Sequence, residues 1–206
     1  IDPERKKPVS FKLLQIRPIV ENTERIKDKL EEIPLSDTII VSNSALGNGT
    51  INGICDLIYV KTENFTAAKN QEIAVKLNEI NDGFLKEGRN YILIGPGRWG
   101  SSDPWLGIPV KWPQISAARV IIESGLDNYR VDPSQGTHFF QNLTAFRVGY
   151  FTINPSIGDG YTDFGFLSAA DTFFEDQHLR HIRFPEPLVI KIDGRKKIGV
   201  IMKPKS

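Results

Sequence analysis

The chain has 206 residues, 40% of them hydrophobic, with 26 basic and 25 acidic side chains and a formal net charge of +1. That length suits one substantial core with an appendage and leaves little room for two full enzyme domains. The balanced charge excludes a one-signed field that would draw the chain to nucleic acid or anionic lipid. The single cysteine, Cys55, excludes an internal disulfide. Together with the lack of any apolar run of membrane-spanning length, it predicts a soluble protein of a reducing compartment, the cytoplasm.

The first residues, Ile1-Asp2-Pro3-Glu4-Arg5-Lys6-Lys7, lack an initiator methionine and the apolar core of a secretion signal, so the sequence is expected to be an excised fragment. Phe11 to Val20 alternates and is rich in branched apolar residues, which predicts a strand. Thr23 to Ile33 carries Ile26, Leu30 and Ile33 at helical spacing among charges, a solvated helix closed by Pro34. Thr38 to Val41 and Ile51 to Val60 read as strands, separated by the turn formers Asn48-Gly49 and Asn52-Gly53. Thr66 to Phe84 sets Ile73, Leu77, Ile80 and Phe84 on one helical face, with Asn81-Asp82-Gly83 fraying its end.

Tyr91-Ile92-Leu93-Ile94 is a continuous apolar run of the kind found in buried strands, and Ala117 to Ile122 repeats it. Phe139, Phe140, Leu143 and Phe146 share a helical face before the strand-like Val148 to Ile153, so the strands flanking this helix are expected to pair in parallel through a crossover. Ala169 to His181 reads as a helix, and Leu188 to Met202 as a hairpin turning at Asp193-Gly194 with Arg195-Lys196-Lys197 at its solvated tip. The expected fold is α/β, with mixed α+β as the alternative, built on a central sheet with flanking helices.

Three segments carry candidate chemistry. In Asp132-Pro133-Ser134-Gln135-Gly136-Thr137-His138, a histidine stands at the start of a helix, where unpartnered N–H groups and the peptide dipoles favour an anion and disfavour an imidazolium. His138 would then be neutral, with a lone pair able to attack phosphorus. Thr137 or Ser134 can cap the helix, Gly136 allows close backbone approach, and the alternative is a histidine that only caps or packs. The loop Gly95-Pro96-Gly97-Arg98-Trp99-Gly100-Ser101-Ser102-Asp103-Pro104-Trp105 follows a buried strand and offers an arginine and two hydroxyls to a phosphate. It lacks the lysine of a Walker loop, and its other reading is a rigid turn in which Trp99 and Trp105 plug a core edge. Gln15 and Arg17 fall on one face of their strand. Glu175, His178 and His181 lie at helical spacing that could present metal ligands, although no complete ligand set is evident and no metal is expected.

Taken together, Leu14 to Pro18 resembles the glutamine-x-arginine-proline segment closing the ATP-grasp domain of phosphoenolpyruvate synthase and pyruvate phosphate dikinase. Ala45-Leu46-Gly47-Asn48-Gly49, Leu93 through Trp112, Asp132 through Thr144, and Gly199 through Pro204 resemble the C-terminal region of phosphoenolpyruvate synthase-like bacterial proteins. In that family an ATP-grasp domain phosphorylates a histidine on a swivelling domain, within a loop resembling glycine-glycine-x-threonine-serine/cysteine-histidine-alanine-alanine. Gly136-Thr137-His138 approximates its centre, while Ser134, Gln135, Phe139 and Phe140 depart from it.

The resemblance implies residues 1–34 as the end of the ATP-grasp domain plus a linker helix, and 35–206 as a divergent swivelling phosphohistidine-type domain. It implies His138 as phosphate carrier and Gln15 and Arg17 on the rim of an ATP-Mg²⁺ site; from the chemistry of the two loops themselves, Gly97, Arg98, Ser101, Ser102, Asp103, Gln135, Gly136 and Thr137 are expected to hold phosphate. ATP and Mg²⁺ would belong to the full-length protein, and the fragment alone would hold neither. The expected partners are the upstream ATP-grasp domain and a small phosphorylated ligand, with no nucleic acid and no membrane. A non-catalytic module binding a phosphorylated ligand or a neighbouring domain is the alternative.

Overall fold

The computed structural model describes residues 26, 28–62, 66–103, 105–125, 130–132 and 138–204, excepting the side chains of residues 67 and 138–140. Along the chain lie β1 (Thr38–Ser42), β2 (Ser44–Leu46), β3 (Gly49–Val60), α1 (Asn70–Glu87) and β4 (Tyr91–Pro96). A small ribbon of β5 (Arg98–Trp99) and β6 (Gly107–Ile108) precedes β7 (Ala118–Ser124), α2 (His138–Ala145) and β8 (Gly149–Ile153). The remainder is β9 (Tyr161–Thr162), α3 (Phe164–Ala169), β10 (Thr172–Glu175), β11 (Leu179–Asp193) and β12 (Ile198–Met202).

The fold is mixed α/β, with one 10-stranded sheet in the order β2-β8-β7-β4-β3-β11-β12-β1-β9 and β10 beside β11. Strands β3, β4, β7 and β8 are mutually parallel and the remaining pairs are antiparallel. The apolar run of β4 is buried at every position, as a strand covered on both faces requires. On one face, Ile73, Ala74 and Leu77 of α1 pack over Leu93, Ile121 and Tyr150. On the other, Ile92, Ile122 and Phe151 meet Ile39, Ile190 and Ile201 from the antiparallel half. The sheet therefore folds back on itself. Ser42 Oγ donates to Thr152 O at 2.8 Å and Ala45 N–H donates to Lys197 O at 2.8 Å, so the β1–β2 segment bridges β12 and β8.

The parallel pairing expected around α2 is present between β7 and β8. Four expectations need correction. Within the described part of 23–33 there is only a single 3₁₀ turn, Leu30–Glu32, because Leu30 alone finds a core and Lys29 is extended. Helix α1 does not fray at Asn81-Asp82-Gly83. Asn81 is buried and accepts hydrogen bonds from Ala117 N–H and Tyr91 OH, and the helix ends instead at Gly88 in the left-handed region. Asn52-Gly53 is not a turn between strands but a bulge inside β3, with Gly53 at φ 81° and a register shift opposite Leu188 to Ile190.

The helix expected over 169–181 is replaced by the end of α3, then β10, a tight turn and the start of β11. Asp176 Oδ1 accepts from His178 N–H and Leu179 N–H, fixing that turn, and its outer carboxylate oxygen pairs with Lys76 on α1 at 2.5 Å. The hairpin over 188–202 is present, but its first strand begins nine residues earlier, at Leu179. The expected division at residue 34 falls just after a segment tied to this hairpin, since Asp28 pairs with Lys191 and Glu31 with Lys196.

Candidate functional site

The carboxyl ends of the parallel strands form one edge, where open α/β sheets commonly bind ligands. Strand β4 leaves the sheet at Gly95-Pro96-Gly97, and each glycine has a steric reason. A Cβ on Gly95 would lie inside the Trp99 indole, and Gly97, at φ 69°, turns the chain against the Leu106 carbonyl. Arg98 and Trp99 then pair with Gly107 and Ile108, where a Cβ on Gly107 would collide with the Arg98 backbone. Trp99 is 2% exposed and plugs the sheet edge, its Nε1 donating to Ile122 O at 3.0 Å. Trp105 does not plug anything: it is 79% exposed at the loop tip. The turn reading thus holds for one of the two tryptophans.

Beneath this loop lies Glu123, fully buried near the end of β7. One of its oxygens accepts from Trp99 N–H at 3.0 Å and the other from Tyr150 OH at 2.5 Å. A buried carboxylate with both oxygens hydrogen-bonded is a fixed anchor for the loop. Its signal in the sequence is an acid inside the apolar strand Ala118–Ser124.

Of the proposed phosphate ligands, Gly97 donates its N–H to Ser124 O at 2.9 Å and Arg98 donates its N–H to Leu106 O at 2.7 Å. The Arg98 side chain is half-buried, and its Nε has no hydrogen-bond partner among the described residues. Ser101 Oγ donates to Asp103 O at 2.9 Å, while Asp103 Oδ1 accepts from Trp105 N–H at 2.9 Å. Ser101 and Asp103 therefore spend hydrogen bonds on their own turn, whereas Ser102 is exposed.

The chain leaving β7 passes Val131, whose N–H donates to Asn154 Oδ1 at 2.8 Å and whose carbonyl accepts from Asn154 Nδ2 at 3.1 Å. This pins the β7–α2 connection to the carboxyl end of β8. Helix α2 begins at His138 and returns the chain to the amino end of β8. The His138 side chain, Gln135, Gly136 and Thr137 lie outside the described residues, as do Gln15 and Arg17.

A second polar centre, unforeseen in the sequence, surrounds Asp56 on β3. Its Oδ1 lies 2.8 Å from both His181 Nε2 and Arg183 Nε, and Oδ2 pairs with Arg89. Burial pushes the Asp56 pKa up, but the hydrogen bonds from His181 and Arg183 and the charges of Arg183 and Arg89 outweigh it and hold the carboxyl below its ordinary value. The Arg183 guanidinium lies 3.7 Å over the exposed ring of Phe173. No single segment announces this cluster, since Asp56 and His181 are 125 residues apart.

The helical metal face of Glu175, His178 and His181 does not exist, because these residues lie in β10, the following turn and β11. His181 faces Asp56, His178 Nε2 lies 3.4 Å from Glu72, and Glu175 pairs with Lys61 at 2.8 Å. Among the described residues, no group of three or more His, Cys, Asp or Glu side chains could hold a metal ion.

No protein-family model, curated protein or solved structure matches the chain. No helix among the described residues is long and apolar enough to cross a membrane.

Proposed function

We propose that this chain is the C-terminal part of a cytoplasmic phosphoenolpyruvate synthase-like phosphotransferase, a divergent swivelling phosphohistidine-type domain in which His138 accepts phosphate from an upstream ATP-grasp domain. The observation that carries the reading is convergence at one sheet edge. The Gly97–Asp103 loop leaves β4 there, and the connection to α2, whose first residue is His138, leaves the adjacent parallel strand β7. In this reading the neutral imidazole of His138 attacks phosphorus in line, the P–O bond to the nucleotide breaks, and its electron pair leaves with the nucleotide. Arg98, whose buried Nε has no hydrogen-bond partner among the described residues, offsets charge on the phosphoryl oxygens. ATP and Mg²⁺ are held by the upstream domain, with Gln15 and Arg17 at its rim.

The experiment mixes this chain with its ATP-grasp portion and ATP labelled in the β and γ phosphates. The chain is expected to acquire acid-labile, base-stable label that His138→Ala abolishes. Absence of label under conditions where the ATP-grasp portion consumes ATP overturns the carrier reading.

A second reading, a binding module without chemistry, is favoured by the rigid anchoring of the loop through Trp99 and Glu123 and by the hydrogen bonds that Ser101 and Asp103 make within their own turn. It predicts an unlabelled protein that still binds phosphoenolpyruvate or inorganic phosphate. The binding would be read by emission of the exposed Trp105 and lost in Arg98→Ala.

A further inference from the structure

At the opposite edge, the amino ends of β4, β7 and β8, a groove of about 340 Å³ runs between the carboxyl ends of α1 and α2. Leu85, Trp112, Ala118, Phe146 and Val148 supply its apolar lining, with Arg119 beside them. Leu85 is 53% and Phe146 57% exposed, and the Phe146 ring stacks on Trp112 with centroids 5.4 Å apart. These are large apolar groups held in fixed positions and left to solvent, the anatomy of an anchor pocket.

Four basic side chains lie in the lining or next to it in the chain. Lys86, Lys111 and Arg147, each exposed, flank the lining residues Leu85, Trp112 and Phe146 in the chain, and Arg119 lies in the lining itself. None of the four has an ion pair among the described residues, whereas the nearby Glu87 is paired with Arg89. Helix carboxyl ends attract cations, and Arg119 does donate to the Phe146 carbonyl at 2.8 Å. Two helix ends, however, present only about half a negative charge each, less than the charge of the four basic groups.

The backbone adds an independent observation. Both helices end in the same motif: Arg89 N–H donates to Phe84 O after α1, and Val148 N–H donates to Leu143 O after α2. The left-handed residue this motif needs is Gly88 in the first and Arg147, at φ 54°, in the second. A side chain there costs about 1–2 kcal/mol relative to glycine, and Arg147 has no ion pair among the described residues to offset that cost.

We propose that this groove docks an acidic peptide segment of a partner protein, which inserts an apolar side chain beside Leu85 and the Trp112–Phe146 stack while its carboxylates meet Lys111, Arg119 and Arg147. The site is separate from the edge assigned to phosphate, so its test does not depend on that assignment.

Binding of a fluorescein-labelled peptide of alternating glutamate and leucine is measured by anisotropy against the intact chain. Peptides with lysine for glutamate, or serine for leucine, serve as controls. The glutamate-leucine peptide is expected to bind, weaken with added salt, and lose about three- to fivefold in affinity for each rim cation removed. Arg147→Gly is the decisive variant, because it relieves the left-handed strain and should keep or raise the melting temperature while weakening the peptide. Failure of the acidic peptide to bind, equal binding of the lysine peptide, or full affinity in Arg147→Gly overturns the proposal. So does concentration-dependent dimerisation that Phe146→Ser abolishes, which would make a second copy the occupant.

Discussion

Asp56 gathers two arginines and a histidine about one buried carboxylate. It is 1% exposed and receives His181, Arg183 and Arg89. Removing the carboxylate in Asp56→Ala leaves the guanidinium groups of Arg183 and Arg89 and the His181 ring without their shared partner, and loss of one partner from a buried pair costs about 3–5 kcal/mol. Urea unfolding at neutral pH should therefore move by an amount of that order. Asp56→Asn keeps the shape and should cost less. The pH dependence separates charge from packing. Because Asp56 titrates lower in the folded chain than in the unfolded one, its stabilisation is complete above the unfolded value of about 3.9 and is lost as pH falls through the lower folded value. Below about pH 4 the wild type should lose stability more steeply than Asp56→Asn, and parallel acid limbs would contradict the assignment. At this scale the sequence was least informative. Cys55-Asp56-Leu57 reads as an ordinary strand until β11, more than a hundred residues later, sets His181 and Arg183 against it.

The element that best repays a test is the loop after β4. Gly95 faces the Trp99 ring, and the indole is fixed by Ile122 O and by Glu123 through its backbone N–H. Gly95→Ala should force the indole outward at an overpacking cost of about 1–3 kcal/mol. With Trp105→Phe and Trp112→Phe as background, the remaining emission should shift to the red. A variant whose Trp99 stays blue would show that the loop relaxes without releasing it. Elements with strong local periodicity were legible: α1 from Ile73, Leu77 and Phe84, and β4 and β7 from their unbroken apolar runs. Legibility failed where tertiary partners decide the outcome. Asn81-Asp82-Gly83 has the composition of a helix end, but burial of the Asn81 amide carries α1 onward to Gly88. Residues 169–181 have a helix-compatible composition, but Asp176 caps a tight turn that returns the chain as β11. The site edge was readable as two loops following buried strands. That they adjoin follows only from the β4–β7–β8 order.

At the scale of the molecule, folding of the sheet onto itself has no sequence signature, because it joins segments from both ends of the chain: β1 and β2 with β8, and both with β12. It does leave a steric one. Gly199 of β12 sits against the Phe151 ring and the Ala45 methyl with no space for a Cβ, and a Cβ on Gly149 of β8 would come within 2.9 Å of the Ile192 side chain. These glycines set how closely the two halves approach, and that spacing determines whether Phe151 and Ile201 share one core. Gly199→Ala should wedge β12 away from β8 and cost about 1–3 kcal/mol, lowering the urea midpoint. It should also expose Ala45 N–H, which donates to Lys197 O across the closure, to faster hydrogen exchange. A second substitution in the same hairpin predicts the opposite sign. Lys197 occupies the left-handed region at φ 59°, so Lys197→Gly relieves backbone strain without altering the spacing and should leave stability unchanged or raise it by up to about 1 kcal/mol. If the closure were a passive contact, Gly199→Ala would accelerate exchange only locally and leave the unfolding midpoint untouched. If it is what unites the antiparallel half with the parallel half, the midpoint and the Ala45 exchange rate should move together, and β4, in the middle of the sheet, should lose protection with them.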